Sequence, residues 1–239
     1  MKMANDKIAV VAGVGPGIGA RLVETFAQQG YRVVALARNA NSLEQICTGL
    51  GATAERCVFW TTDITDQEQV KKTFARVRNE LGPVNLLICN AGGGVKRGSF
   101  LDVSPQDFLK NLHGQAFGPF LCAKEAIPDM LAHGGGTVAY IGATSSVKGY
   151  AKSTAFATGK FALRALAQCN AREFGPKGIH VFHVIIDGGI DAIPPGENRE
   201  VTPGLLDPRA IARVVAQAVA QPHDTWMHEF DIRASTENF

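Results

Sequence analysis

The sequence predicts an α/β fold: a single-domain, mostly parallel sheet, doubly wound, with helices on both faces. Three observations lead there. Short runs of β-branched and other strongly apolar residues alternate along the chain with longer amphipathic stretches. The short runs are apolar throughout, as strands covered on both faces of a parallel sheet are. A glycine-rich string, Gly13-Val14-Gly15-Pro16-Gly17-Ile18-Gly19, joins the first apolar run to the first amphipathic stretch. Strand–helix alternation of this kind implies a doubly wound sheet.

The elements follow in order. Ile8–Ala12 reads as the first strand, and the glycine-rich turn leads from it into a helix over Gly17–Gln29. The strand Arg32–Ala37 and the helix Ser42–Gly49 come next, then the strand Val58–Thr61. Asp66 is placed to cap the helix Gln67–Leu81, because its carboxylate can accept from the first unpaired N–H groups. Leu86–Cys89 is the fourth strand and Phe108–Leu131 the next helix. Ser104 stands ahead of that helix as an N-cap, with Pro105 at the first helical position, where a missing N–H is harmless. Thr137–Ile141, the helix Ser153–Phe174, the strand His180–Ile186, the helix Pro208–Ala220 and a short strand near Glu229–Ile232 complete the chain. The one linker-like stretch, Ala192–Pro203, is too short to divide domains, so residues 1–239 are expected to form one.

Composition narrows the function classes. With 46% apolar residues and a formal charge of +2, the chain reads as an ordinary globular protein, without the basic excess or Lys/Arg run of a nucleic-acid binder. The opening MKMANDK lacks an apolar secretory core, and no segment approaches the roughly 18 apolar residues of a membrane span. The five cysteines are odd in number and show no C-x-x-C spacing, which reads as reduced packing residues of a cytoplasmic protein. No metal site is expected: the six histidines do not cluster, and His180 and His183 fall on opposite faces of their strand.

The turn at Gly13, Gly15, Gly17, Ile18 and Gly19 carries the first chemistry. Glycines permit a tight turn and close approach of a pyrophosphate, and the N-terminus of the following helix offers free N–H donors and a favourable dipole. Its place between an N-terminal strand and a helix points to dinucleotide binding. The second strand closes as Ala37-Arg38-Asn39, without the acidic residue that would hold a ribose 2′-hydroxyl and repel a 2′-phosphate. Arg38 offers a permanently charged fork for such a phosphate, so NADP(H) is expected over NAD(H).

Together with Asn90-Ala91-Gly92 and Ser153-Thr154-Ala155-Phe156-Ala157-Thr158-Gly159-Lys160, this turn resembles the short-chain dehydrogenase/reductase family, and the likeness covers nearly the whole chain. It implies a Rossmann-like sheet and hydride transfer between a nicotinamide and a small-molecule substrate. Asp63 and Ile64 match the family's adenine contacts, Asn90, Ala91 and Gly92 its adenine-ribose side, and Gly188 and Ile190 its nicotinamide side. Asn111 and Lys160 match the catalytic asparagine and lysine. Helices equivalent to Phe108–Leu131 and Ser153–Phe174 form the family's dimer or tetramer interface, so a homodimer or homotetramer is implied, and Phe161, Leu163, Leu166 and Ala167 exceed one apolar face.

The chain departs from the pattern where the proton is handled. Phe156 stands at the position of the family's catalytic tyrosine, one helical turn before Lys160, and Ala143 stands at that of the serine. Thr144, Ser145 and Ser146 follow directly and are candidate substitutes for that hydroxyl. Tyr150 precedes the helix, and the spacing of enoyl reductases would need a tyrosine where Ser153 stands. Asp187 and Ala192 replace the proline and threonine that the family places around Gly188. The short Ala192–Leu206 segment suggests an open pocket. Two readings follow: an oxidoreductase with non-standard acid/base chemistry, reducing a carbonyl or an enoyl group of a small or acyl substrate, or a catalytically inactive NADP(H)-binding sensor or assembly protein.

Overall fold

The structure is a computed structural model and describes residues 6–92 and 98–236. The opening residues 1–5, part of the segment read above for a leader, lie outside the described residues. The seven strands are β1 (Ile8–Ala12), β2 (Arg32–Ala37), β3 (Cys57–Thr61), β4 (Val84–Cys89), β5 (Gly136–Ile141), β6 (Ile179–Asp187) and β7 (Glu229–Arg233). They form one sheet in the order β3-β2-β1-β4-β5-β6-β7. Every pairing is parallel. The order reverses between β1 and β4, and the crevice beyond the carboxyl ends of strands at such a reversal is where ligands bind in open α/β sheets.

The helices are α1 (Ile18–Gln28), α2 (Ala40–Leu50), α3 (Gln67–Glu80), α4 (Pro105–Leu112), α5 (Gly118–Ala132), α6 (Thr154–Phe174) and α7 (Pro208–Val219). Two apolar cores lie on the two faces of the sheet. One gathers Phe26 of α1, Leu43 of α2 and Ile211 and Val215 of α7; the other gathers Phe74 of α3, Met130 of α5 and Leu163 and Ala167 of α6. Each large side chain buried here contributes roughly 1.5–3 kcal/mol. The strands alternate between the two cores: Phe182 and Val184 of β6 join the first, Ile179 and Val181 the second. His180 and His183 accordingly point to opposite faces, as expected.

The caps behave as read. Asp66 accepts from the N–H groups of Glu68 and Gln69, and Ser104 accepts from that of Asp107. The expected helix Phe108–Leu131 needs correcting. It starts earlier, at Pro105, and is interrupted by a π turn over His113–Phe117. Pro119, in the first turn of α5, has no N–H to return to Gln115, so an unbroken α ladder cannot pass this point.

Candidate active site

The site is assembled at the carboxyl ends of β1, β2, β4, β5 and β6. A cleft of about 1810 Å³ runs there and is lined by the positions singled out in the sequence, Ser146 excepted: Gly13, Gly15, Gly17, Ile18, Gly19, Arg38, Asp63, Ile64, Asn90, Ala91, Gly92, Asn111, Ala143, Thr144, Ser145, Phe156, Lys160, Gly188 and Ile190. It exceeds the roughly 300–1,000 Å³ of an ordinary small-molecule pocket.

The glycines at its first end have separate reasons. Gly13 has φ +97°, and a Cβ there would stand 2.6 Å from the backbone of Ala91. Asn90 locks that approach by donating its amide to Gly13 O at 2.7 Å. Gly15 and Gly17 differ: a Cβ at either would meet no atom within 4 Å, so their backbone lies open to the cleft. Gly17 caps α1 without any side-chain bond, leaving the helix N-terminus for a ligand. Arg38 lies along the same wall, beside Asn39, whose side chain caps α2 by accepting from Ser42 N–H. Asp63 is partly engaged by its own turn, where Oδ1 accepts from the N–H and the hydroxyl of Thr65.

At the other end, α6 carries Phe156 and Lys160 on one stripe. Lys160 is 5% exposed. Its Nζ donates to Ile141 O at 2.9 Å and lies 5.9 Å from the centre of the Phe156 ring. Burial alone lowers its pKa to about 8. A Cβ on Gly92 would stand 3.7 Å from that Nζ, so the ammonium faces the β4 end of the cleft. Asn111 donates to Asp107 O at 2.9 Å within α4 and accepts from Gln115 at 3.1 Å.

The loop after β5 divides its hydroxyls. Ser146 is fully buried and turned away from the cleft: its Oγ accepts from Ala143 N–H at 3.1 Å and meets His183 Nε2 at 3.2 Å. His183 Nδ1 meets Glu229 at 3.0 Å, and Glu229 receives both arms of Arg164 at 2.7 Å. Burial pushes the His183 imidazole down to about 4, against the pull of Glu229, so it is neutral at pH 7. Gly142 is obligatory beside it, since a Cβ would stand 2.1 Å from His183 Nε2. Thr144, in contrast, lines the cleft and donates its hydroxyl to Asp187 Oδ1. Asp187 Oδ2 pairs with Arg233, its register partner on β7, at 3.0 Å.

Gly188 follows with φ +137°, a left-handed conformation that favours glycine. Beyond it Asp191 holds Arg199 through both oxygens and accepts from Thr202 N–H, contacts that depress its carboxyl pKa strongly. Arg21 of α1 ties down the next turn, donating to the carbonyls of Ile193, Pro194 and Glu197. The segment thus folds back onto α1. The Thr144–Asp187–Arg233 and Ser146–His183–Glu229–Arg164 chains were not foreseen. The replacement of proline by Asp187 and the β6 histidine were visible, but their partners lie on other strands.

No helix of the described residues is long and apolar enough to cross a membrane. Among the same residues no group of three His, Cys, Asp or Glu is placed to hold a metal ion.

Comparison with known proteins gives the geometry its context. A short-chain dehydrogenase/reductase of Armillaria gallica is 33% identical over 184 residues, 75% of this chain and 69% of that protein. A short-chain dehydrogenase from Rhodopseudomonas palustris superposes with a TM-score of 0.80 at 32% identity, covering 95% of this chain and 98% of that one. A Tyr-to-Phe variant of ElxO with NADPH bound has the same fold, with a TM-score of 0.85 at 23% identity over 96% of this chain and 98% of that one. The short chain dehydrogenase family profile matches residues 7–192, and the chain belongs to that family.

Proposed function

We propose that this chain is an NADP(H)-dependent oxidoreductase that moves hydride between the nicotinamide and a carbonyl or enoyl group of a small or acyl substrate, without a tyrosine acid. The observation that carries the reading is Lys160, a buried ammonium facing the same cleft as an open helix N-terminus. Burying a charge is costly, and such groups concentrate at functional sites.

The residues present fit a nicotinamide dinucleotide. The open backbone at Gly15 and Gly17 and the uncapped start of α1 suit the pyrophosphate. Arg38, with no acid at Ala37, suits a 2′-phosphate and favours NADP(H) over NAD(H). Asp63 and Ile64 serve the adenine, Asn90, Ala91 and Gly92 the adjoining ribose, and Gly188 and Ile190 the nicotinamide side. When bound, the nicotinamide supplies or accepts the hydride. Lys160 holds the sugar next to it and adds positive charge near the reacting oxygen, while Asn111 orders α4 beside it. Phe156 cannot exchange a proton. It does not argue against cofactor binding, since the Tyr-to-Phe variant of ElxO carries NADPH.

The whole of residues 1–239 acts as one unit in this reading. A homodimer or homotetramer fits the apolar rings left outside on α5 and α6: Phe120 and Phe161 are each 42% exposed, and Phe117 stacks on Phe120. The five unpaired cysteines fit the reducing cytoplasm. A second reading, an NADP(H)-binding sensor or assembly protein without turnover, is favoured by Phe156 alone. Fluorescence titration with NADPH, followed by NADPH-oxidation assays on a 3-oxoacyl thioester, a quinone and an enoyl thioester, separates the two. Turnover of any probe supports the enzyme; tight binding without oxidation supports the sensor; failure to bind NADPH refutes both.

A further inference from the structure

The cleft has a hydroxyl–carboxylate pair that the family pattern does not supply. The turn after β5 and the last residue of the adjacent strand β6 bring Thr144 and Asp187 together, with Gly142 N–H tied to Val184 O at 2.7 Å beneath them. Thr144 directly follows Ala143, and both residues of the pair line the cleft with Phe156 and Lys160. Asp187 is 7% exposed, and Arg233 balances its charge. The other acids at this end of the cleft are otherwise engaged. Asp191 is saturated by Arg199 and Thr202, and Asp107 belongs to the first turn of α4.

An ionised carboxylate only accepts hydrogen bonds, so the Thr144 proton must point to Asp187. The lone pairs of Thr144 Oγ1 are then left for a donor in the cleft. A hydroxyl in this state accepts a proton from one side as it gives its own to the other.

We propose that Thr144 and Asp187 form the proton relay of this site, in place of the missing phenol, and that it serves the oxygen of a carbonyl substrate and not the carbon of an enoyl group. The inference rests on the hydride-transfer reading above. In the oxidative direction the substrate O–H bond breaks and its proton goes to Thr144 Oγ1. The Thr144 proton moves to Asp187 Oδ1. The C–H bond breaks with its electron pair, which passes as hydride to the oxidised nicotinamide, and the carbon–oxygen double bond forms. Reduction is the reverse, with Asp187 reprotonated from solvent. Thr144 is the catalytic residue; Asp187 acts through it, and Arg233 holds Asp187 in place.

The test uses the full-length protein with NADPH and two ketone probes, an acetoacetyl thioester and 9,10-phenanthrenequinone, with crotonyl thioester as the enoyl control. Thr144→Val should lower kcat about 10²–10⁴-fold, the usual contribution of a positioned acid or base, with NADPH affinity unchanged within about threefold. Asp187→Asn should do the same, and the double variant should lose little more, because the two act in series. Thr144→Ser should regain at least about tenfold over Thr144→Val, and so should Phe156→Tyr placed in the Thr144→Val background, by supplying a second proton donor. Asp187→Asn weakens the ion pair with Arg233, so if it fails to fold, Thr144→Val and its two rescues carry the test. Variants that keep a third or more of the wild-type kcat, or that lose NADPH affinity in parallel, overturn the relay. Wild type that binds NADPH but reduces only the enoyl probe, or nothing, overturns it too. Wild type that does not bind NADPH instead refutes the hydride-transfer reading on which it rests.

Discussion

Replacing Lys160 by methionine should separate a functional lysine from a structural one. The methionine keeps an unbranched apolar stem and removes the ammonium. Burial lowers the Lys160 pKa from 10.5 to about 8, which corresponds to a cost on the order of 3 kcal/mol for holding the charge in the fold at neutral pH. The unfolded chain keeps this proton up to about pH 10.5, whereas the folded chain releases it near 8. Between those values the unfolded state binds more protons, so the Lys160 contribution to stability rises with pH across that window and is least favourable below it. Against this, methionine leaves Ile141 O without its donor, at about 1–3 kcal/mol. The variant should therefore be between as stable as wild type and about 2 kcal/mol more stable at pH 7, by the difference of those terms. That advantage should shrink as pH rises past 8 and the wild type sheds its proton. Urea unfolding followed by circular dichroism at pH 7, 8.5 and 10, as a variant-minus-wild-type difference, cancels thiols such as Cys57 and Cys122, whose pKa burial raises to about 12. The same variant should lose NADPH affinity and turnover. Destabilisation by more than about 3 kcal/mol at pH 7, with NADPH binding intact, would show that Lys160 is a strut of the fold and refute the argument.

Arg38→Ala should weaken NADPH binding roughly ten- to hundredfold and leave NADH unchanged, the loss expected for one charge-assisted phosphate contact; calorimetry showing equal wild-type affinities would refute it. His183, held near 4 in the fold against 6.5 in the open chain, should favour unfolding as pH falls below 6.5, by about 2 kcal/mol at pH 5. His183→Gln should remove that part of the acid sensitivity, and identical pH dependence in the two proteins would count against a neutral buried imidazole. Light scattering at micromolar concentration should give a dimer or tetramer, and Phe120→Glu with Phe161→Glu should yield monomers if the exposed rings form the contact; a monomeric wild type would end that proposal.

What could be read from residue order follows from periodicity and local backbone demands. Uninterrupted apolar runs such as Ile8–Ala12 and Arg32–Ala37 mark strands covered on both faces. Asp66 and Ser104 mark helix starts because a cap is satisfied within its own turn. The glycine turn is legible for the same reason: Gly13 and Gly19 answer steric contacts that recur wherever a strand, a tight turn and a helix follow one another. The family motifs then carried Asn90, Asn111 and Lys160 into one cleft. The break in the helix expected over Phe108–Leu131 was less legible, because a proline near a helix start is often harmless, and Pro119 interrupts the ladder only because helix already precedes it over Pro105–Leu112.

Tertiary structure alone decided the partners of the polar residues. Thr144 and Asp187 are 43 positions apart, and Ser146, His183, Glu229 and Arg164 come from a loop, two strands and a helix. The sequence presents Thr144, Ser145 and Ser146 as equivalent hydroxyls. The fold turns Ser146 inward to a neutral histidine and leaves Thr144 on the cleft wall against a carboxylate. Hydrogen bonds between distant residues leave no periodic trace, because side-chain spacing records only which face of its own element a residue occupies. Which atom meets it depends on strand register, and in this sheet the pairing of Asp187 with Arg233 and of His183 with Glu229 is set when β7 docks on β6.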